Sequence, residues 1–269
     1  MSINRVSDAQ QVFLRRLKRQ DLLVRACRWG ILLLFLALWE LGAQFKWIDA
    51  FLISSPGRML LTLKTLMESG ELLRHVGVTL WEMILGFFFG TALGLLLAMA
   101  LWWSNTLAKI LDPYLVVLNA LPKIALGPVL IVWMGSGTRA IVVMTLLISV
   151  IVTLATVLSG FLEIAPEKLT LLRAFGASKW DCLRMVVLPG SVPAIVSAIK
   201  LGIGMSWVGV IVGEFLVSKA GLGYLIVYGG QVFKLDLVMA ATAILCTLAA
   251  LMYAVTALFE KRVRDTRGE

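Results

Sequence analysis

The sequence predicts an all-α membrane protein of about six transmembrane helices, with both termini cytoplasmic and a polar cytoplasmic loop between helices 4 and 5. Three observations carry this. Hydrophobic residues make up 60% of the 269-residue chain and mean hydropathy is +0.93, whereas charged residues are only 15%, against about 25% in ordinary soluble proteins. Apolar runs near the roughly 20 residues needed to cross about 30 Å of hydrocarbon recur along the chain. These runs do not alternate polar with apolar residues, as the strands of a membrane barrel would.

The elements follow in order. Residues 1–28 form a basic N-terminal segment, read as cytoplasmic, and 29–259 form the transmembrane domain. The first span, 29–46, runs on too far for the apolar core of a cleavable signal and reads as a retained helix. After Ser54-Ser55-Pro56-Gly57, where Pro and Gly punctuate the chain, residues 56–76 read as an interfacial helix. Its Met59, Leu60, Leu63, Leu66 and Met67 recur near helical spacing. His75 is placed in the external loop, alone and without a metal-ligating neighbour. The second span is 79–101, and the third is 113–134, interrupted by Pro122 and Pro128. Only Gly135-Ser136-Gly137-Thr138 separates it from the fourth, 139–162. The fifth is 191–217, the sixth 237–259, and 260–269 is a cytoplasmic tail.

The net charge of +9 raises the question of nucleic acid, but the placement of the charges answers it. With a cytoplasmic N-terminus, 16 of the 25 Lys and Arg fall on that side and seven on the other. This is the positive-inside bias, so lipid and not nucleic acid is the partner. An even number of spans also returns the C-terminus to the same side. Cys27, Cys182 and Cys246 are far apart and form no C-x-x-C, which points to neither a disulfide framework nor a zinc site.

The polar loop 163–190 stands out because Arg173, Lys179, Asp181 and Arg184 interrupt an otherwise membrane-grade chain. It reads as one or two short helices. Pro166 sits where a helix start tolerates a missing N–H. Gly176 marks a bend or a close backbone contact. Pro189 stops the run, and Pro193 opens the next span. A bent amphipathic element at the lipid edge suits insertion into a groove on a soluble protein.

At these residues the chain resembles the permease subunits of binding-protein-dependent ABC importers. Gly176, Val186, Leu188 and Pro189 have the spacing of that family's EAA loop, although the opening E-A-A falls on Thr170-Leu171-Leu172. The Ala120–Pro128 run, Trp133-Met134-Gly135-Ser136-Gly137, Phe175-Gly176-Ala177-Ser178, Glu214 and Gly221-Leu222-Gly223-Tyr224 are similar to the nitrate, sulfonate and taurine branch. The resemblance implies an ATPase-coupling loop made by Arg173, Ala174, Phe175, Gly176, Ala177, Ser178, Leu188 and Pro189. It further implies cytoplasmic ABC ATPase subunits, an extracytoplasmic solute-binding protein, a second permease copy as a homodimer, and a bacterial inner-membrane location. The chain has no Walker A pattern, G-x-x-x-x-G-K-[ST]. It is therefore expected to hold no cofactor and to be no enzyme, with ATP and Mg bound by the partner ATPase.

Pro122, Lys123, Pro128 and Glu214 are the candidates for the path or its gate. Broken backbone in a membrane is tolerated where protein or water satisfies it, and Lys123 beside the break could attract an anion. Intramembrane charges such as Glu214 are functional candidates by default, whereas Glu40 and Glu82 are read as close to the interface. Gly86, Gly90, Gly94 and Ala98 lie four apart and form a smooth ridge, read first as helix packing within the subunit. The expected cargo is an alkanesulfonate, taurine or nitrate-like anion, with a thiamine-precursor pyrimidine as the alternative. A proton-coupled carrier working alone is the rival class. A membrane enzyme is remote, since neither H-E-x-x-H nor G-x-S-x-G occurs.

Overall fold

The computed structural model describes residues 8–267. The first residues of the basic N-terminal segment and the last two of the tail lie outside the described residues. Among the described residues every regular element is a helix. In chain order these are α1 (Asp8–Gln44), α2 (Ala50–Ile53), α3 (Pro56–Glu68), α4 (Glu71–Trp103) and α5 (Asn105–Ala120). Then come α6 (Gly127–Met134), α7 (Thr138–Leu162), α8 (Pro166–Ala174), α9 (Lys179–Cys182) and α10 (Leu188–Gly190). The chain ends with α11 (Val192–Val217), α12 (Leu222–Gln231) and α13 (Leu235–Arg267). A 3-10 turn, Lys123–Leu126, leads into α6, and a π turn, Leu183–Val187, joins α9 to α10.

Five helices are long and apolar enough to cross a membrane: the Leu22–Gln44 part of α1, then α4, α7, α11 and the Leu235–Arg262 part of α13. α5 and the Lys123–Met134 segment are bent by 87° at the break between them, and they make a sixth span if the pair counts as one. Five to six spans agree with the expected count of about six, and Pro122 lies at the break in the third.

The centre is a three-helix stack in which α7 packs against both α4 and α11. The ridge on α4 makes this contact possible. Gly86, Gly90 and Gly94 are buried facing Thr145, Ser149 and Thr153 of α7. Without hydrophobic water-expulsion to drive association inside lipid, close approach of small residues supplies the packing energy. Gly209 and Gly213 of α11 approach Thr145 and Ile141 of α7 in the same way. Both ridges are thus spent on packing within the subunit.

The two ends of the ridge differ in tolerance. A Cβ on Gly94 would lie 2.8 Å from Thr153 Cβ and 2.9 Å from the Val150 carbonyl oxygen, neither of which can swing aside. On Gly90 the nearest obstacle is the Ser149 hydroxyl, which a rotamer change removes. Gly94→Ala is therefore expected to cost about 1–3 kcal/mol by overpacking, and Gly90→Ala clearly less. Thermal unfolding of both variants in one detergent checks the order. Equal losses would mean the helices slide apart as rigid bodies.

Apolar clusters bracket the stack. Ala98, Leu101, Leu154, Val157, Phe161 and Ala198 close one end, together with Leu183 and Val187 from the π turn. Met83, Ile141, Ile203, Trp207 and Val210 lie toward the other. Leu66, Leu222, Leu225, Leu237 and Ala241 tie α3, α12 and α13 into a side layer. An ion pair, Arg58 to Asp236 at 2.7 Å, reinforces this layer. Lys200 and Glu260 pair at 3.0 Å between α11 and α13.

Several expectations change. His75 is not in a loop: α4 starts at Glu71, and His75 is buried at 5% exposure. Glu71, Arg74 and His75 lower local hydropathy, which is why the span reads short. Glu82 is buried inside the protein at 1% exposure. The 56–76 helix is two helices parted by Ser69 and Gly70. Glu40 has a structural partner, accepting the Gly57 N–H at 2.8 Å in the first turn of α3. Pro189 does not stop the run, because the wide π turn ahead of it accommodates a ring that a tight helix would not, and the path stays helical through Gly190.

Candidate functional site

Three groups of residues deserve geometry: the α8–α9 loop, the break after α5, and the polar cluster around Glu214.

In the loop, Pro166 lies in the first turn of α8 and Arg173 in its last. The helix ends in a Schellman motif. The Gly176 amide donates to the Arg173 carbonyl at 2.9 Å, and the Ala177 amide to Leu172 at 3.1 Å. Gly176 has φ +84° with nothing within 4 Å of where a Cβ would be. Its role is thus the left-handed turn, not close approach. Two residues later Ser178 caps α9. Its hydroxyl accepts the Asp181 amide at 3.2 Å, and the Asp181 carboxylate accepts the Ser178 amide at 2.9 Å. The Ser178 hydroxyl and amide together hold the Asp181 carboxyl below the usual carboxylate range.

The result is a hydrogen-bonded elbow that leaves apolar side chains uncovered. Leu171, Phe175, Trp180 and Met185 are all exposed, Phe175 at 82%. Arg173, Ala174 and Ser178 are exposed beside them, and Ala177 is half-buried. Leu188 packs against the adjoining core cluster, and Pro189 is exposed at the far end of the loop.

At the break, Pro122 and Pro128 are exposed and Lys123 is half-exposed. The Lys123 ammonium donates to the Asn119 carbonyl at 3.1 Å, caring for the C-terminal end of α5. Gly127 lets the bent segment sit against Leu216 of α11 and Met144 of α7. Beside α5 runs a groove of about 300 Å³ lined by Asp112, Asn119, Ser159 and apolar side chains of α5 and α7. Its lining carries an acid and no base.

Glu214 is 1% exposed near the end of α11. It belongs to a clasp that satisfies the first amides of α12, which a helix start leaves without intrahelical partners. The Gly221 amide donates to His75 Nδ1 at 2.9 Å, and the Leu222 amide to Thr79 Oγ1 at 2.8 Å. The Gly223 amide donates to Glu214 Oε2. Gly221 has φ +120°, and a side chain there would run into the Glu214 carboxylate. The His75 ring stacks on Tyr224 at 5.9 Å, and Tyr224 on Tyr228 at 5.8 Å. Glu82 on α4 faces the same carboxylate. Glu214 therefore belongs with α4 and α12, while Lys123 is engaged with α5. Sequence reasoning missed His75 and Thr79, whose helical spacing of four was visible but whose partner lies some 140 residues away.

Residues 90–265 match the family described as binding-protein-dependent transport system inner membrane component. A probable ABC transporter permease protein of Haemophilus influenzae is 31% identical, over 83% of this chain and 89% of its own length. A putative aliphatic sulfonates transport permease protein, SsuC of Bacillus subtilis, is 26% identical over 89% and 87%. The taurine transport system permease protein TauC of Escherichia coli is 24% identical over 89% of each. Among solved structures, a chain of the inward-facing MetNI methionine ABC transporter superposes with a TM-score of 0.65 at 21% identity, covering 73% of this chain and 97% of that one.

Proposed function

The chain belongs to the binding-protein-dependent transport system inner membrane component family, and from this we propose that it is the permease subunit of an ATP-driven importer for a small anionic sulfonate, taurine or nitrate. The observation that carries the proposal is the α8–α9 elbow. It exposes Leu171, Phe175 and Trp180 on a loop whose shape is fixed by the Schellman end at Gly176 and the cap at Ser178. A preformed apolar knob beside Arg173 suits a groove on a folded partner. With no Walker A pattern in the chain, that partner is a cytoplasmic ABC ATPase, which binds ATP and Mg. Arg173, Ala174, Phe175, Gly176, Ala177, Ser178, Leu188 and Pro189 form the coupling loop.

In this proposal the path runs between two copies. The groove beside α5 offers Asp112 and no cation, a poor lining for an anion. By contrast α11 carries an uncovered stripe of Ser197, Leu201, Gly204, Met205 and Val208. A neutral stripe with a serine and an open glycine suits a pathway wall better than a lipid face. The broken segment Pro122–Pro128, seated on α11, and the clasp at Glu214 lie at the margins of this wall, where a gate would act. An extracytoplasmic binding protein delivers the solute at the α12 end, and the positive-inside bias keeps the loop end and both termini cytoplasmic.

The test is a mild-detergent pull-down followed by uptake into vesicles. A Walker A protein is expected at a stoichiometric ratio. Uptake from a panel of taurine, alkanesulfonates, nitrate and an aminopyrimidine should require ATP inside the coupling-loop compartment. Solute accumulation by the chain alone on a pH gradient, with no ATP, would replace the importer by a proton-coupled carrier. ATP-driven uptake of the pyrimidine alone would keep the machinery and change the cargo.

A further inference from the structure

A charged contact joins the coupling loop to the spanning bundle. Lys179 is the first residue of α9, directly after the Ser178 cap. Its ammonium donates to the main-chain carbonyl of Trp103, the last residue of α4. The carbonyls at a helix C-terminus lack intrahelical partners and carry the negative end of the helix dipole, so a cation is well placed there. The same ammonium lies 5.9 Å from the Trp102 ring and 5.6 Å from the Trp103 ring, within the range of cation–π attraction. The Trp180 ring packs 6.3 Å from Trp103. Aromatic rings thus flank the ammonium at a contact that is itself exposed.

The other end of α4 carries His75 and Thr79, which hold the first amides of α12. Between Thr79 and Trp103 the helix is unbroken, about 36 Å long at 1.5 Å per residue. It is locked along its length to α7 by the glycine ridge. We infer that Lys179 is the positioning residue that passes movement of the coupling loop to α4, and through α4 to the α12 clasp at the opposite end. The inference rests on the proposed docking of an ATPase on the loop. Lys179 itself neither touches solute nor forms the apolar knob.

The experiment uses the complete importer in proteoliposomes, with uptake and ATP hydrolysis measured in the same vesicles. Wild type, Lys179→Met and Lys179→Arg are compared. Methionine keeps the length and apolar stem but removes the donor and the charge, and arginine restores both. Lys179→Met is expected to capture the ATPase normally and hydrolyse ATP within two-fold of wild type, while solute moved per ATP falls at least five-fold. Lys179→Arg should recover at least half of that ratio. An unchanged ratio in Lys179→Met overturns the inference and leaves the importer reading intact. Loss of ATPase capture in Lys179→Met also overturns it, by making Lys179 part of the docking surface. A wild type that captures no ATPase overturns the importer reading, and the inference with it.

Discussion

Gly176→Val is expected to leave membrane insertion and the helix stack intact while reducing transport at least ten-fold. The glycine has φ +84°, a conformation that costs an ordinary side chain about 1–2 kcal/mol and a β-branched one more. Nothing lies within 4 Å of the Cβ position, so the penalty is conformational and no clash contributes. The chain escapes it by unwinding the turn. That would release the Gly176 and Ala177 amides from the Arg173 and Leu172 carbonyls, and Phe175 would no longer be held relative to Ser178 and Lys179. About 2 kcal/mol is enough to change the occupancy of the docking conformation roughly thirty-fold. Gly176→Asn separates this cause from others, because asparagine visits the left-handed region more readily. It should retain most of the activity. Binding of the ATPase by pull-down and uptake in vesicles are the readouts. Full activity in Gly176→Val would remove the turn from the mechanism.

The spans were legible because hydropathy is a local property of the chain. The fourth and fifth, expected at 139–162 and 191–217, are helices Thr138–Leu162 and Val192–Val217. The turn at Gly176 was also legible, since a glycine after an apolar-periodic run is a common helix stop. Its left-handed φ and the Schellman bonds belong to three dimensions. The start of α4 was not legible, for a reason specific to membranes. Charged residues in its first turns look like loop to a hydropathy window, yet here His75 is buried because α12 folds back over it.

Long-range polar contacts were invisible in the same way. Lys179 and Trp103 are 76 residues apart, and His75 and Gly221 146 apart. No local pattern joins such pairs. Glu214 was identifiable as an unusual buried acid, but its partners come from α12 and α4. Lys123 was the more visible cation, yet it serves the end of its own broken helix. A charge conspicuous in sequence can be spent on neighbouring backbone, while the decisive acceptors are an unremarkable histidine and threonine.

Glu214→Leu is the second large effect expected. Leucine approximates the volume of glutamate but accepts no hydrogen bond, so the Gly223 amide would stay buried without its side-chain partner. An orphaned buried donor costs about 1–3 kcal/mol, and the site is closed to bulk water, with Glu214 only 1% exposed. The methyl groups of leucine would also crowd Gly221 and Gly223, which already lie against the native side chain. Together a loss of about 3 kcal/mol is expected, with uptake down more than ten-fold as α12 loosens from α4 and α11. Glu214→Gln keeps a carboxamide oxygen for the same amide and should lose under about 1 kcal/mol while transporting near normally. Thermal unfolding and ATP-driven uptake of the two variants decide between an acceptor and an ionisable group. If glutamine fails as badly as leucine, the carboxylate acts through its charge or its proton, and the clasp is a titrating element of the gate. If glutamine works, Glu214 holds α12 by geometry alone, and the proton-coupled carrier loses the acid on which it would most depend.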